Sequence, residues 1–136
     1  MDRLLFLAAD YATVDASGKL NILGAFNTIN ARQFPTTHQL MHLVIKLRPA
    51  LGEYGDTRQL RIVLVDEDGA ELFQVAGDIE LPKVKGGERP EFNAVIGLRD
   101  LVFPHPGRYE FRLYIDKDQK DELSIQLVQA EQPQEQ

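Results

Sequence analysis

The sequence predicts an all-β protein, a two-layer antiparallel β-sandwich of about seven to nine strands. Two observations carry the prediction. Apolar residues recur with period two in run after run, and no segment of helical period competes with them. Short stretches of turn chemistry separate the runs, at the spacing of sandwich strands. The length agrees: 136 residues suit one domain, and a chain of this size buries roughly two-thirds of its unfolded surface without disulfides or metals to staple it.

The elements follow in order. "LLFLAA" and "YATV" read as a first strand buried on both faces, "DASGK" as a turn, and "LNILGAF" as the returning strand of a hairpin. In that turn Asp15 and Ser17 can bond the local backbone and Gly18 can take positive φ. Gly24, inside the returning strand, predicts a bulge or a close backbone approach. "HQLMHLVIKLR" puts Met41, Leu43, Ile45 and Leu47 on one face and His42, Val44, Lys46 and Arg48 on the other. Leu60, Ile62 and Leu64 share a face, as do Phe73, Val75, Ile79 and Leu81, and Phe92, Ala94, Ile96 and Leu98. "GRYEFRLYID" alternates most strictly, with Tyr109, Phe111, Leu113 and Ile115 facing one way. "ELSIQLVQ" closes the domain with Leu123, Ile125 and Leu127. One domain over 1–129 and a polar, apolar-poor tail over 130–136, expected to be disordered, complete the organisation.

In "FPHPGRYEF" a Gly precedes a Tyr by two residues at the start of an inward-pointing strand. This resembles the tyrosine corner of immunoglobulin-like sandwiches, whose hydroxyl bonds back to upstream backbone. Tyr109 would hold that role, with Phe111 where antibody domains place a cysteine. The expected sandwich is therefore immunoglobulin-like in general form.

"LAADYATVDASGKLNILGAF" followed by "PGRYEFRLYID" also resembles a family of small uncharacterised bacterial β-sandwich proteins, a domain of unknown function. Its members open on Leu-x-Ala-Asp-Tyr-Ala and Gly-Lys-Leu-Asn-Ile-Leu-Gly and close on Pro-Gly-x-Tyr-x-Phe-x-Leu. The resemblance spans nearly the whole chain and implies the sandwich. It supplies no activity, but it directs inspection to Asp10, Tyr11, Asn21 and Gly24. Asp10 stands out, because a carboxylate inside an apolar strand destabilises it unless paired. Two readings compete: an edge position or a turn contact, or a site carboxylate with Tyr11 as its aromatic neighbour.

Composition narrows the function classes. The absence of cysteine removes disulfides, thiolate metal sites and cysteine nucleophiles. A net charge of -6 argues against nucleic acid and anionic membranes as bulk partners. The opening "MDRLLFLAAD" is too short for a signal-peptide core and carries an acid where a leader is basic, so the cytoplasm is the expected location. The acidic turns "DEDG" at 66–69 and "DKDQKDE" at 116–122 suggest calcium. An up-and-down succession of strands puts them at opposite ends, so no metal site is assigned. His38 and His42 share strand parity but lie about 13 Å apart along an extended chain, too far for two ligands of one zinc ion. His105 falls at the same end as His38. With no nucleophile elbow, phosphate loop or HExxH pattern, the chain is expected to be no enzyme and to need no cofactor.

Binding is the remaining class. By parity Val44, Val63, Val65, Arg112 and Tyr114 point away from the core, a mixture typical of interface cores. The expected function is a non-enzymatic protein-interaction or assembly module with a protein partner or a homo-oligomeric state. The alternative is a loop-mediated ligand- or calcium-dependent membrane-binding sandwich.

Overall fold

In the computed structural model, which describes residues 1–131, the alternating runs become nine strands. They are β1 (Asp2–Val14), β2 (Leu20–Phe26), β3 (Thr28–Ala31), β4 (Thr36–Arg48), β5 (Thr57–Val65), β6 (Glu71–Glu80), β7 (Phe92–Phe103), β8 (Gly107–Ile115) and β9 (Asp118–Gln129). They form two sheets, of order β2-β1-β4-β7 and β3-β9-β8-β5-β6. The two-layer β-sandwich is thus the fold. Among the described residues the single helical element is a 3-10 turn at Leu51–Glu53, and no helix is long and apolar enough to cross a membrane. The expected tail falls mostly on residues 132–136, outside the described residues; Ala130 lies inside them and donates to the carbonyl of Ala31.

The core lies between the sheets and is built from the faces that alternation predicts. Met41, Leu43, Ile45 and Leu47 of β4 meet Ile62 and Leu64 of β5, Tyr109, Phe111 and Leu113 of β8, and Ile125 and Leu127 of β9. Each such side chain, fully buried, contributes about 1.5–3 kcal/mol. The tyrosine corner is formed: Tyr109 donates its hydroxyl to the carbonyl of His105 (2.6 Å) and accepts from the His105 N–H (3.2 Å). Burial pushes the Tyr109 hydroxyl pKa up.

Three features depart from expectation. First, β3 pairs in parallel with β9, through Thr28↔Gln126 to Ala31↔Gln129. The chain leaves one sheet as β2 and enters the other as β3, and Asn27 at the corner accepts from the Gln126 N–H (2.8 Å). Every other pairing is antiparallel. Secondly, strand parity breaks between His38 and Met41, opposite Asp100, whose φ is +55°. Leu98 and Leu101, three apart, both reach the core. His38 and His42 therefore face opposite sides: the His38 ring lies against Phe26 (5.7 Å), and the His42 ring against Tyr11 (5.3 Å). Thirdly, β1 is buried on both faces only in its first half: Leu4 to Ala9 are buried or half-buried, whereas Asp10, Tyr11 and Val14 are exposed.

The acidic turns lie at opposite ends, as the strand succession requires. Both use their carboxylates locally. Asp66 accepts from the N–H groups of Asp68 and Ala70 (2.9 Å each). Asp116 accepts from the Gln59 N–H (3.1 Å) and from Arg58 (3.0 Å), and these bonds hold its pKa below the usual range.

Candidate functional site: the Asp10–Gly24 bend, its cleft and its arm

The first hairpin divides at Asp10. Up to Ala9, β1 pairs with β4, the last partners being Ala9↔His42. Beyond it, β1 pairs with β2 alone, from Tyr11↔Leu23 to Val14↔Leu20. Gly24, across from Asp10, adopts φ +71°, and a Cβ placed there would collide with the Asp10 carboxylate. Only glycine supplies both that conformation and that space. The predicted close approach is thus the pivot on which the distal hairpin, an arm of residues 10–24, leaves the plane of its sheet.

The arm folds over the outer face of β4 and β7. The Asn93 side chain on β7, two strands away from β1, donates to the Gly18 carbonyl at the arm's tip (3.1 Å). His42 Nδ1 lies 3.3 Å from the Asp10 carbonyl oxygen. The tip holds itself together through Asp15, which accepts from Ser17 Oγ (2.6 Å), the Ser17 N–H (2.9 Å), the Lys19 N–H (3.0 Å) and the Asn21 side-chain amide (3.2 Å). Led by the Ser17 hydroxyl, these bonds lower the Asp15 pKa to about 2. Asn21 is therefore a member of the turn.

Asp10 and Tyr11 do not converge. Adjacent strand residues point to opposite faces, and the two side chains enter different surroundings. Asp10 lines an open cleft of about 330 Å³ with Phe26, Thr28, Ile29, Asn30 and His38. This cleft sits where the first hairpin passes into the corner strand, and its aromatic wall is Phe26. Tyr11 instead stands edge-on to His42, half exposed, with Leu23 directly across the hairpin. Sequence reasoning missed Phe26, His38 and Asn30 as neighbours of Asp10, because the corner that gathers them has no local signature.

The five interface candidates do not form one patch. Val44 belongs to the four-stranded sheet and is fully buried between Leu7 and Val95, on the face the arm crosses. Val63, Val65, Arg112 and Tyr114 lie on the other sheet. There Val63 and Val65 are buried, flanked in register by Gln74, Arg112 and Glu110. Arg112 is tied to Glu110 (2.7 Å), and the Arg61 guanidinium sits 4.3 Å over the Tyr114 ring. Long polar side chains in these flanking positions are of the kind whose apolar stems shield neighbouring surface from water. Four of the large apolar side chains exposed among the described residues gather on the arm, Leu23 at 69% and Tyr11 at 53% with Ile22 and Val14, while Leu51, Leu72, Val84, Val102 and Val128 are exposed at separate places on the sandwich.

Comparison with known proteins adds the family. No curated protein matches the chain. A family model, that of the family of unknown function DUF6941, matches residues 4–128, and the chain belongs to that family.

Proposed function

We propose that this member of the family is a non-enzymatic interaction module whose contact surface is the arm. The observation that carries the reading is the exposure of Leu23 and Tyr11, paired across the hairpin on one face. A hairpin gains little by exposing two large apolar side chains side by side, whereas exposed apolar patches mark contact sites. Aromatic and aliphatic residues on a preorganised β-hairpin also dock without a large ordering cost. The protein is expected to act in the cytoplasm, with a protein partner or a second copy of itself.

The test is a tagged pull-down from host extract with light scattering on the eluate, run beside the double substitution Tyr11→Ser and Leu23→Glu. A stoichiometric partner or a defined oligomer, lost in the double variant, is the expected result. A clean monomer with no partner overturns the reading. A second reading, a small-ligand site, is favoured by the cleft, where a carboxylate, an imidazole and an amide from Asp10, His38 and Asn30 surround the Phe26 ring. In that case ligand-induced NMR shifts would centre on these residues, not on the arm.

A further inference from the structure

The cleft beside Asp10 lies at a mouth of the sandwich. Its walls come from both sheets: Asp10, Phe26 and His38 stand on β1, β2 and β4, and Thr28, Ile29 and Asn30 on β3. Strand residues two apart share a face. Asp10 thus shares the face of Ala8, which lies in the core, and Gly24 that of Phe26, which packs against it. The carboxylate is therefore on the inward side of its sheet, where the space between the layers opens to solvent.

This carboxylate differs from those of the turns. Asp15, Asp66 and Asp116 each accept from neighbouring N–H groups. Among the described residues no ion pair reaches Asp10, and no lysine or arginine lines its cleft. Its direction is set instead by Gly24, whose missing side chain leaves the space that the carboxylate fills. Beside it stands the Phe26 ring, with the His38 ring leaning on it at 5.7 Å and 47° between the planes.

A carboxylate without a cation, next to an aromatic ring, is the pairing that holds organic ammonium ions. The carboxylate balances the charge, and the ring face attracts the cation through its quadrupole. An anion would meet Asp10 with no positive group to offset the repulsion. A metal ion needs several oxygen or nitrogen ligands together, and no three acidic or histidine side chains among the described residues are placed to hold one.

We propose that this cleft binds a small organic ammonium ion, its charge against Asp10 and its carbon body on Phe26. The Thr28 hydroxyl and the Asn30 amide on the β3 wall offer acceptors for its remaining N–H or O–H groups. The inference rests on the small-ligand reading of the cleft and names its ligand class. The volume of about 330 Å³ suits a small ligand, since such sites run from about 300 to 1,000 Å³. The ammonium group can belong to a free amine or to a lysine of a partner protein, and the chemistry is the same.

The test is an NMR titration of the full chain with five probes. Three are cations: choline, putrescine and N-acetyl-lysine methylamide. Two are not: neohexyl alcohol, the uncharged isostere of choline, and propionate. Expected are saturable shifts centred on Asp10, Phe26, Thr28 and His38 from at least one cation, and binding at least tenfold weaker for the other two probes. Asp10→Asn keeps the shape against Gly24 and removes the charge; Asn30→Lys brings a cation of the chain's own to the rim. Each should weaken binding of the cation at least tenfold, and each is accepted only if its thermal midpoint stays within a few degrees of wild type. Tighter binding of choline or putrescine assigns the site to a free amine, and tighter binding of the lysine derivative to a partner's side chain. The proposal is overturned, while the small-ligand reading stands, if neohexyl alcohol or propionate binds there as tightly as the cations. It is overturned too if the cation binds the accepted variants as tightly as wild type. Both the proposal and the small-ligand reading fall if no probe shifts these residues.

Discussion

The β8–β9 hairpin and the distal β1–β2 hairpin are written in the same alphabet and meet opposite fates. Both alternate, and both close on a short turn containing an Asp. In β8–β9 the residues Tyr109, Phe111, Leu113, Ile125 and Leu127 are essentially inaccessible to solvent. In the arm, Tyr11, Val14, Ile22 and Leu23 are exposed. The difference is what each hairpin lies against. The inner face of β8–β9 has a whole sheet opposite it, whereas the arm has been turned out of its sheet at Asp10 and Gly24 and rests on the back of β4 and β7. Apolar alternation thus specifies a face without saying whether the fold will cover it. Where the fold does not, the face is available to something else.

The largest effect should come from truncating the buried hairpin. Phe111→Ala is expected to cost about 3–5 kcal/mol of folding stability, because it removes a fully buried ring and leaves a cavity. Leu23→Ala, an equally apolar residue in the arm, should change stability by no more than about 0.5 kcal/mol. Urea denaturation of both variants decides the comparison. A loss at Leu23 approaching that at Phe111 would mean the arm is part of the core after all.

A smaller effect is expected at the pivot. Gly24→Ala places a Cβ at φ +71° and against the Asp10 carboxylate. The backbone conformation alone costs about 1–2 kcal/mol. Amide exchange should quicken through residues 10–24 while β8 and β9 keep their protection. Adding Asp10→Ala should relieve the collision but not the backbone cost, so rescue should be partial. Complete rescue, or none, would mean that only one of the two constraints operates.

The smallest effect lies at the tip of the arm. The Asp15 carboxyl is held at about 2 in the folded protein against an ordinary 3.8. A depressed carboxylate contributes stability that is fully present above the ordinary value and is lost as pH falls through the folded one. The Ser17 and Lys19 amide resonances should therefore move as pH is lowered from about 4 to about 2. Asp15→Asn should abolish that titration without altering the β8–β9 signals. A midpoint near 4 for these amides would show that the bonds to Asp15 do not persist in solution.

Much of this was legible beforehand, and the reasons are local. Period two fixed the inward faces of β4, β5, β8 and β9. The Gly-x-Tyr spacing placed the tyrosine corner at Tyr109, and an isolated Gly24 marked a close approach. The errors have physical causes too. Parity makes Val44 an outward interface residue because it is silent on what lies above a sheet. Parity points Val63 and Val65 outward too, and is equally silent on the long side chains of Gln74, Arg112 and Glu110 that flank them in register. Parity sets His38 and His42 on one face because a residue in the left-handed conformation on the neighbouring strand, Asp100, leaves no mark in their own sequence.

By itself the sequence determined which residues alternate, where the chain turns and which side of each regular strand is apolar, since these follow from backbone geometry and side-chain chemistry over a few residues. Only the tertiary structure decided that Thr28–Ala31 joins the second sheet in parallel, that Asp10 shares a cleft with Phe26 and His38, and that the tip of the arm reaches Asn93 on β7. Those outcomes depend on contacts between segments far apart in the chain. No local pattern contains them.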